Sequence, residues 1–220
     1  DVFPSMGEAA RKGVWPAVPD HGVIWTTPMQ CVGMADGLSL NLSTDRWRYQ
    51  KQVRLKENDL WLDWRIRSTA ACRQPFVWVC HCLWRLEDDM RFFFPSECSR
   101  AIDSLTPDER PADVPLRPTA FGTMLKRYLP RPLSEGECGF CWPSAGIRVT
   151  MSFSPSELPY LGFWMSNGGW HGARHFAFEP STAYYDTLAR ADQSKTLTWL
   201  RPDEERCFSL RLHIGKENER

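Results

Sequence analysis

From Asp59 the chain sets Leu60, Leu62, Trp64 and Ile66 against Asp63, Arg65 and Arg67, the period of two that lays one face of a β-strand on a core and the other in water. A helix would space its apolar residues three and four apart, and that spacing is absent here. The same alternation returns at Ile147, Val149, Met151 and Phe153, and again at Phe208, Leu210, Leu212 and Ile214. Phe76 to Trp84 is apolar on both faces, as a strand between two layers is; its parity sets Cys80 and Cys82 opposite His81. Shorter strands are expected at Met90 to Phe94, Tyr160 to Met165 and Arg174 to Glu179. Only Ala183 to Ala191 reads as helix, with Tyr184, Leu188 and Ala191 on one side. The proline-rich, charged interval from Ser96 to about Pro143 is long enough to be a functional excursion rather than a turn. Many strands and one short helix predict an all-β fold, a sandwich or barrel, with residues 1–220 as a single domain.

Charge and composition narrow the partners. Lys plus Arg and Asp plus Glu each total 27, and no basic run exists that would track a phosphate backbone, so nucleic acid is not expected. No stretch approaches the roughly 20 apolar residues that span a bilayer, and the chain does not open on a basic segment followed by an apolar one. No membrane association is expected. The eight cysteines are diluted in a chain with ample core, which favours reduced thiols and a cytoplasmic location. Cys138-Gly-Phe-Cys141 has the gap of a zinc knuckle, but no second pair follows at a matching spacing. Buried thiols are the expectation, with no metal.

The densest chemistry lies between Trp164 and Pro180. Strand parity there puts His175, Ala177 and Glu179 on one face and Arg174, Phe176 and Phe178 on the other, so an imidazole and a carboxylate look into one space. Trp164, Asn167 and Trp170 fall within seven residues. Indole faces suit the C–H faces of a sugar ring, while amides, imidazoles and carboxylates suit its hydroxyls. Eleven tryptophans in 220 residues are more than a core of this size needs, and those beside Gly168-Gly169 are the ones a ligand would meet. A third cluster is Pro19-Asp20-His21-Gly22 before Trp25, a turn carrying an imidazole.

Taken in order, these landmarks resemble one family. Pro19-Asp20-His21-Gly22, then Phe76-Val-Trp-Val-Cys-His81 leading to Phe94-Pro95, then Leu158-Pro-Tyr-Leu-Gly162-Phe-Trp164 through His175-Phe-Ala-Phe-Glu179-Pro180, then Leu200-Arg-Pro202-Asp-Glu204, are similar to the aldose 1-epimerase, or galactose mutarotase-like, family. The likeness is to its aldose-epimerase-like branch more than to the enzymes acting on galactose. It implies the galactose mutarotase-like supersandwich, a large antiparallel β-sandwich, here without the early strands that carry a substrate-binding arginine, and a small-molecule sugar as partner. It also implies roles: Glu179 as general base on the anomeric hydroxyl, His81 as the acid that protonates the ring oxygen, and His21, with Asp20 beside it, as a substrate contact. Trp164, Asn167, Trp170 and His175 complete the expected sugar site. No metal or organic cofactor is implied. Two rivals stand beside epimerisation of a free hexose. One is a non-catalytic carbohydrate-binding module, since a fold does not license an activity. The other is an epimerase of a phosphorylated sugar, for which Arg174, Lys126 and Arg127 are the available cations.

Overall fold

The computed structural model describes residues 1–105 and 109–217. Its strands are β1 (Gln30–Met34), β2 (Gly37–Ser43), β3 (Trp47–Lys56), β4 (Asp59–Ser68), β5 (Gln74–Phe76), β6 (Trp84–Arg85), β7 (Arg91–Phe93), β8 (Arg100–Asp103), β9 (Pro111–Asp113), β10 (Thr123–Tyr128), β11 (Glu137–Trp142), β12 (Ile147–Phe153), β13 (Tyr160–Trp170), β14 (Ala173–Ser181), β15 (Thr198–Leu200) and β16 (Glu205–Lys216). Among the described residues one α-helix, α1 (Leu188–Gln193), precedes β15, and a single 3-10 turn, Pro143–Ala145, joins β11 to β12. The chain divides into two compact units, the first made of residues 1–80 and 181–211, the second of 81–180 and 212–220.

The first unit is built on an antiparallel run β1-β2-β3-β4, with the beginning of β16 beside β4. Alternation in β4 is realised as expected: Leu62, Trp64 and Ile66 are buried while Asp63, Arg65 and Arg67 face outward. Trp64 packs on Trp78 and Phe208 at ring distances of 4.7 and 5.8 Å. A polar hub sits among these rings. The Asp1 carboxylate accepts hydrogen bonds from Trp64 Nε1 (2.9 Å), Tyr49 Oη (3.0 Å) and Lys51 Nζ (3.1 Å), and Trp78 Nε1 donates in turn to Tyr49 Oη (3.2 Å). Burial pushes the Tyr49 phenol well above its usual pKa, so it stays a neutral donor.

Two expectations need correction here. Phe76 to Trp84 is not one continuous strand, because its partners change along its length: Thr198 pairs with Phe76, Pro4 O accepts from Val77 N, and Val79 bridges both Val2 and Ser181. Strand parity therefore does not govern His81 and its neighbours; Cys80 is buried and Cys82 half-buried. The helix is also shorter than expected. Tyr185 holds a positive φ of 73°, which interrupts any helix from Ala183, and Thr187 then caps the real start through its side chain. Leu188 and Ala191 pack with Val2, Trp15, Val18 and Val77.

The second unit is a sandwich in its own right. Its six-stranded sheet runs β6-β14-β13-β10-β8-β9, and β12, β11 and β7 form an antiparallel layer. Phe176 on β14 lies between them, 4.9 Å from Phe92 of β7 and 5.1 Å from Phe140 of β11. The interval from Ser96 to Pro143 is corrected as well. It holds β8 through β11, four ladder strands whose prolines and charges hide them from a pattern based on apolar alternation. Among the described residues no helix is long and apolar enough to cross a membrane.

Phe176 and Leu55 test this packing. Phe176 is fully buried and Leu55 is exposed at the end of β3. Phe176→Ala is expected to lower stability by about 3–5 kcal/mol, and Leu55→Ala by less than about 0.5 kcal/mol, as read from urea unfolding.

Candidate functional site

The outer face of the six-stranded sheet collects the chemistry. On β10 and β13, Lys126 stands opposite Trp164 and Tyr128 opposite Gly162 in the antiparallel register, so these four share one face. Across β14, His175 and Glu179 share a parity, while Phe176 and Phe178 point into the core. His81 arrives from the irregular segment before β6.

At the centre lies Glu179, fully buried. Its Oε1 is 2.8 Å from His81 Nδ1, and its Oε2 accepts from the Lys126 ammonium. Gly162 makes room for it: a Cβ there would stand 2.9 Å from Glu179 Oε2 and 3.2 Å from the Tyr128 ring. Burial alone would raise the Glu179 pKa, but the Lys126 charge, with the hydrogen bond and charge of His81, outweighs it and holds the carboxyl below its usual range. Glu179 is therefore an ionised acceptor, and Nδ1 of His81 is the donor. Nδ1 of His81 is thereby committed to Glu179. His175 is half-buried with its ring 6.1 Å from that of Trp164. Desolvation, and secondarily His81, lower its pKa, so it is a neutral imidazole at pH 7.

The remaining sequence candidates are placed differently. Asn167 is buried on the parity opposite Trp164, where its amide donates to Thr119 O (2.6 Å) and accepts from Arg174 Nε (2.8 Å). Trp170 is half exposed at the end of β13, with its ring against His171. His21 and Asp20 belong to the first unit. There His21 Nδ1 lies 3.0 Å from the Asp20 carboxylate and its ring stacks on Trp25 at 3.9 Å. The Asp-His-Gly turn depends on its glycine, since Gly22 has a φ of 82° and a Cβ would fall 1.9 Å from Phe3 O. The cations considered for a sugar phosphate each have a carboxylate: Lys126 has Glu179, Arg127 has Asp103 (2.9 Å), and Arg174 has Asp88. The sequence offered Lys126 only as a cation for a phosphate; its pairing with Glu179 is what the sequence did not reveal. Among the described residues, no three His, Cys, Asp or Glu side chains gather as a metal would require.

No family model and no curated protein matches this sequence. Solved structures do. The chain is similar to the Slr1438 protein from Synechocystis sp. PCC 6803, with a TM-score of 0.79 and 18% identity over 98% of this chain and 77% of that one. It is also similar to a candidate aldose 1-epimerase from Escherichia coli K12 (TM-score 0.74, 17% identity, 95% and 75% covered). A galactose mutarotase related enzyme from Lactobacillus acidophilus gives a TM-score of 0.74 at 13% identity, covering 98% of this chain and 82% of that one. The fold is thus the all-β, antiparallel sandwich of galactose mutarotase-like proteins.

The buried triad makes a stability prediction with a defined sign. Glu179→Gln strands the Lys126 ammonium without its counter-charge and is expected to cost about 3–5 kcal/mol at pH 7. Adding Lys126→Met should recover part of that loss, because no unpaired buried charge remains. The folded carboxyl is more acidic than the unfolded one, so its contribution is complete above the unfolded value of about 4.3 and fades as pH falls through the folded value. Urea unfolding from pH 7 downward should show wild type and Glu179→Gln converging in acid.

Proposed function

We propose that this chain binds a free hexose or related sugar on the outer face of the six-stranded sheet and interconverts its anomers by acid–base ring opening. The observation that carries the reading is the 2.8 Å contact of His81 with Glu179, two residues 98 positions apart that the sequence landmarks had marked as acid and base. Trp164 and His175 beside them supply an indole face and a ring nitrogen for a sugar's C–H and hydroxyl groups.

In the proposed reaction O1 of the sugar gives its proton to Glu179 while His81, entering as the imidazolium with a proton on each ring nitrogen, delivers the Nε2 proton to the ring oxygen and is left neutral, with its Nδ1 proton still on the Glu179 side. The C1–O5 bond opens to the free aldehyde, C1 turns about its bond to C2, and the reverse transfers close the other anomer. Groups positioned within hydrogen-bond reach can supply about 10²–10⁴-fold by such transfers. Glu179 is fully buried and each of its carboxylate oxygens already accepts one hydrogen bond, so O1 must either reach a remaining lone pair or displace a present partner.

That same engagement favours a second reading, a carbohydrate-binding module without turnover. A buried carboxylate with a depressed pKa is a weak base. Exchange NMR of sugar anomers separates the two. On the first reading the protein accelerates exchange, and Glu179→Gln, studied where circular dichroism shows it folded, lowers the rate by about 10²-fold or more while binding stays within about tenfold. Sugar binding by wild type with no acceleration leaves the binding module.

A further inference from the structure

Within the first unit, apart from the residues assigned to sugar, a cleft of about 570 Å³ is lined by Arg11, Lys12, Trp15, Arg46, Arg73 and Trp199. Its cations are held in set positions. The Arg11 guanidinium lies 5.1 Å over the Trp15 ring and that of Arg73 4.0 Å over the Trp199 ring. Arg46 donates to Gln74 Oε1 (2.8 Å), and Gln74 is buried with its own amide donating to Cys72 O (3.1 Å). A guanidinium stacked on indole keeps its N–H edge outward, and its planar fork matches the oxygens of a phosphoryl group.

The charge count points the same way. Arg11 is paired with Asp192 at 2.9 Å, and among the described residues the carboxylate beside Arg46 is that of the exposed Asp45, at 3.9 Å. Four cations against two carboxylates leave an excess of two positive charges, close to the charge of a phosphate monoester, about −1.5 to −2 at pH 7. Arg73 is stacked on the Trp199 indole; Arg201 and Glu204, which line a neighbouring pocket with it, add one charge of each sign and leave the excess unchanged.

We infer that this cleft is a binding site for a small phosphorylated metabolite, whose phosphoryl group is held by the N–H edges of Arg46 and Arg73, with Lys12 and Arg11 adding charge at the rim. The site stands independently of the sugar reading. Carboxylate-only ligands match the fork geometry but carry less charge per group, so the phosphoryl group is the better fit.

The test is calorimetric titration of the full chain at about 50 mM salt with inorganic phosphate, glucose 6-phosphate and glucose. Either phosphate probe should bind while glucose leaves the cleft residues unaffected. Arg73→Ala and Arg46→Ala should each weaken phosphate binding by about tenfold or more, the size expected for a charge-assisted hydrogen bond, and about 500 mM salt should weaken it further. The control Arg67→Ala, whose guanidinium pairs with Asp203 on the surface of the same unit, should change binding less than about twofold. As a second measurement, bound phosphate should protect Cys72 from alkylation more than the exposed Cys31, with peptides resolved by mass spectrometry. Equal binding of inorganic phosphate and glucose 6-phosphate supports recognition of the phosphoryl group alone; tighter glucose 6-phosphate supports a metabolite. The inference is overturned if neither phosphate binds, if Arg46→Ala and Arg73→Ala leave binding unchanged, or if His81→Asn abolishes it.

Discussion

A carboxylate withdrawn from water on a sheet face has to be matched by charge and hydrogen bonds, and in the second unit Glu179 sets that demand. Lys126 and His81 meet it from two other parts of the chain. Each partner constrains its surroundings. Lys126 must stand on the outward parity of β10, which brings the strand into register beside β13. Position 162 must lack a side chain, because the space a Cβ would take belongs to Glu179. The phenylalanines of the opposite parity, Phe163, Phe176 and Phe178, then fill the core. The site and the packing beneath it are two faces of the same strands.

The sequence made visible those parts of this arrangement that have a local pattern. β4, β12 and β16 declare themselves by alternation, because one face of each meets a core. Pairing His175 with Glu179 needed only strand parity. What stayed hidden depends on partners distant in sequence. A lysine at position 126 reads the same whether it faces water or a carboxylate 53 positions away. Asp1 looks like an ordinary polar residue, yet it gathers Tyr49, Lys51 and Trp64. The segment from Phe76 to Trp84 is apolar throughout, which records burial but not the change of partners that breaks the strand. Asn167 read as a sugar contact from its neighbours in sequence; its amide instead joins Thr119 to Arg174.

Arginines in this protein are settled by two means. Arg127 and Arg174 of the second unit are neutralised by Asp103 and Asp88, as Arg67 of the first is by Asp203, and an ion pair so closed offers little to an anion. Arg73 of the first unit rests on an indole ring. Stacking fixes the plane of a guanidinium without cancelling its charge. Orientation with charge retained is what an anion site needs, and a carboxylate partner would supply only the first.

The partnership that lets Glu179 be buried also limits its chemistry. Lys126 and His81 stabilise the ionised form, and whatever stabilises a carboxylate lowers its appetite for a proton. A base so held becomes stronger only if a ligand loosens Lys126 or takes the place of His81, since the burial that remains would then raise the carboxyl's pKa. Binding and basicity are therefore coupled through one pair of oxygens: a sugar hydroxyl that displaces a cationic partner meets a carboxylate made more basic by that displacement. A hydroxyl that merely adds to the existing network meets one that stays ionised and only accepts a hydrogen bond. The difference between an epimerase and a binding module on this face reduces to which of those exchanges the sugar makes.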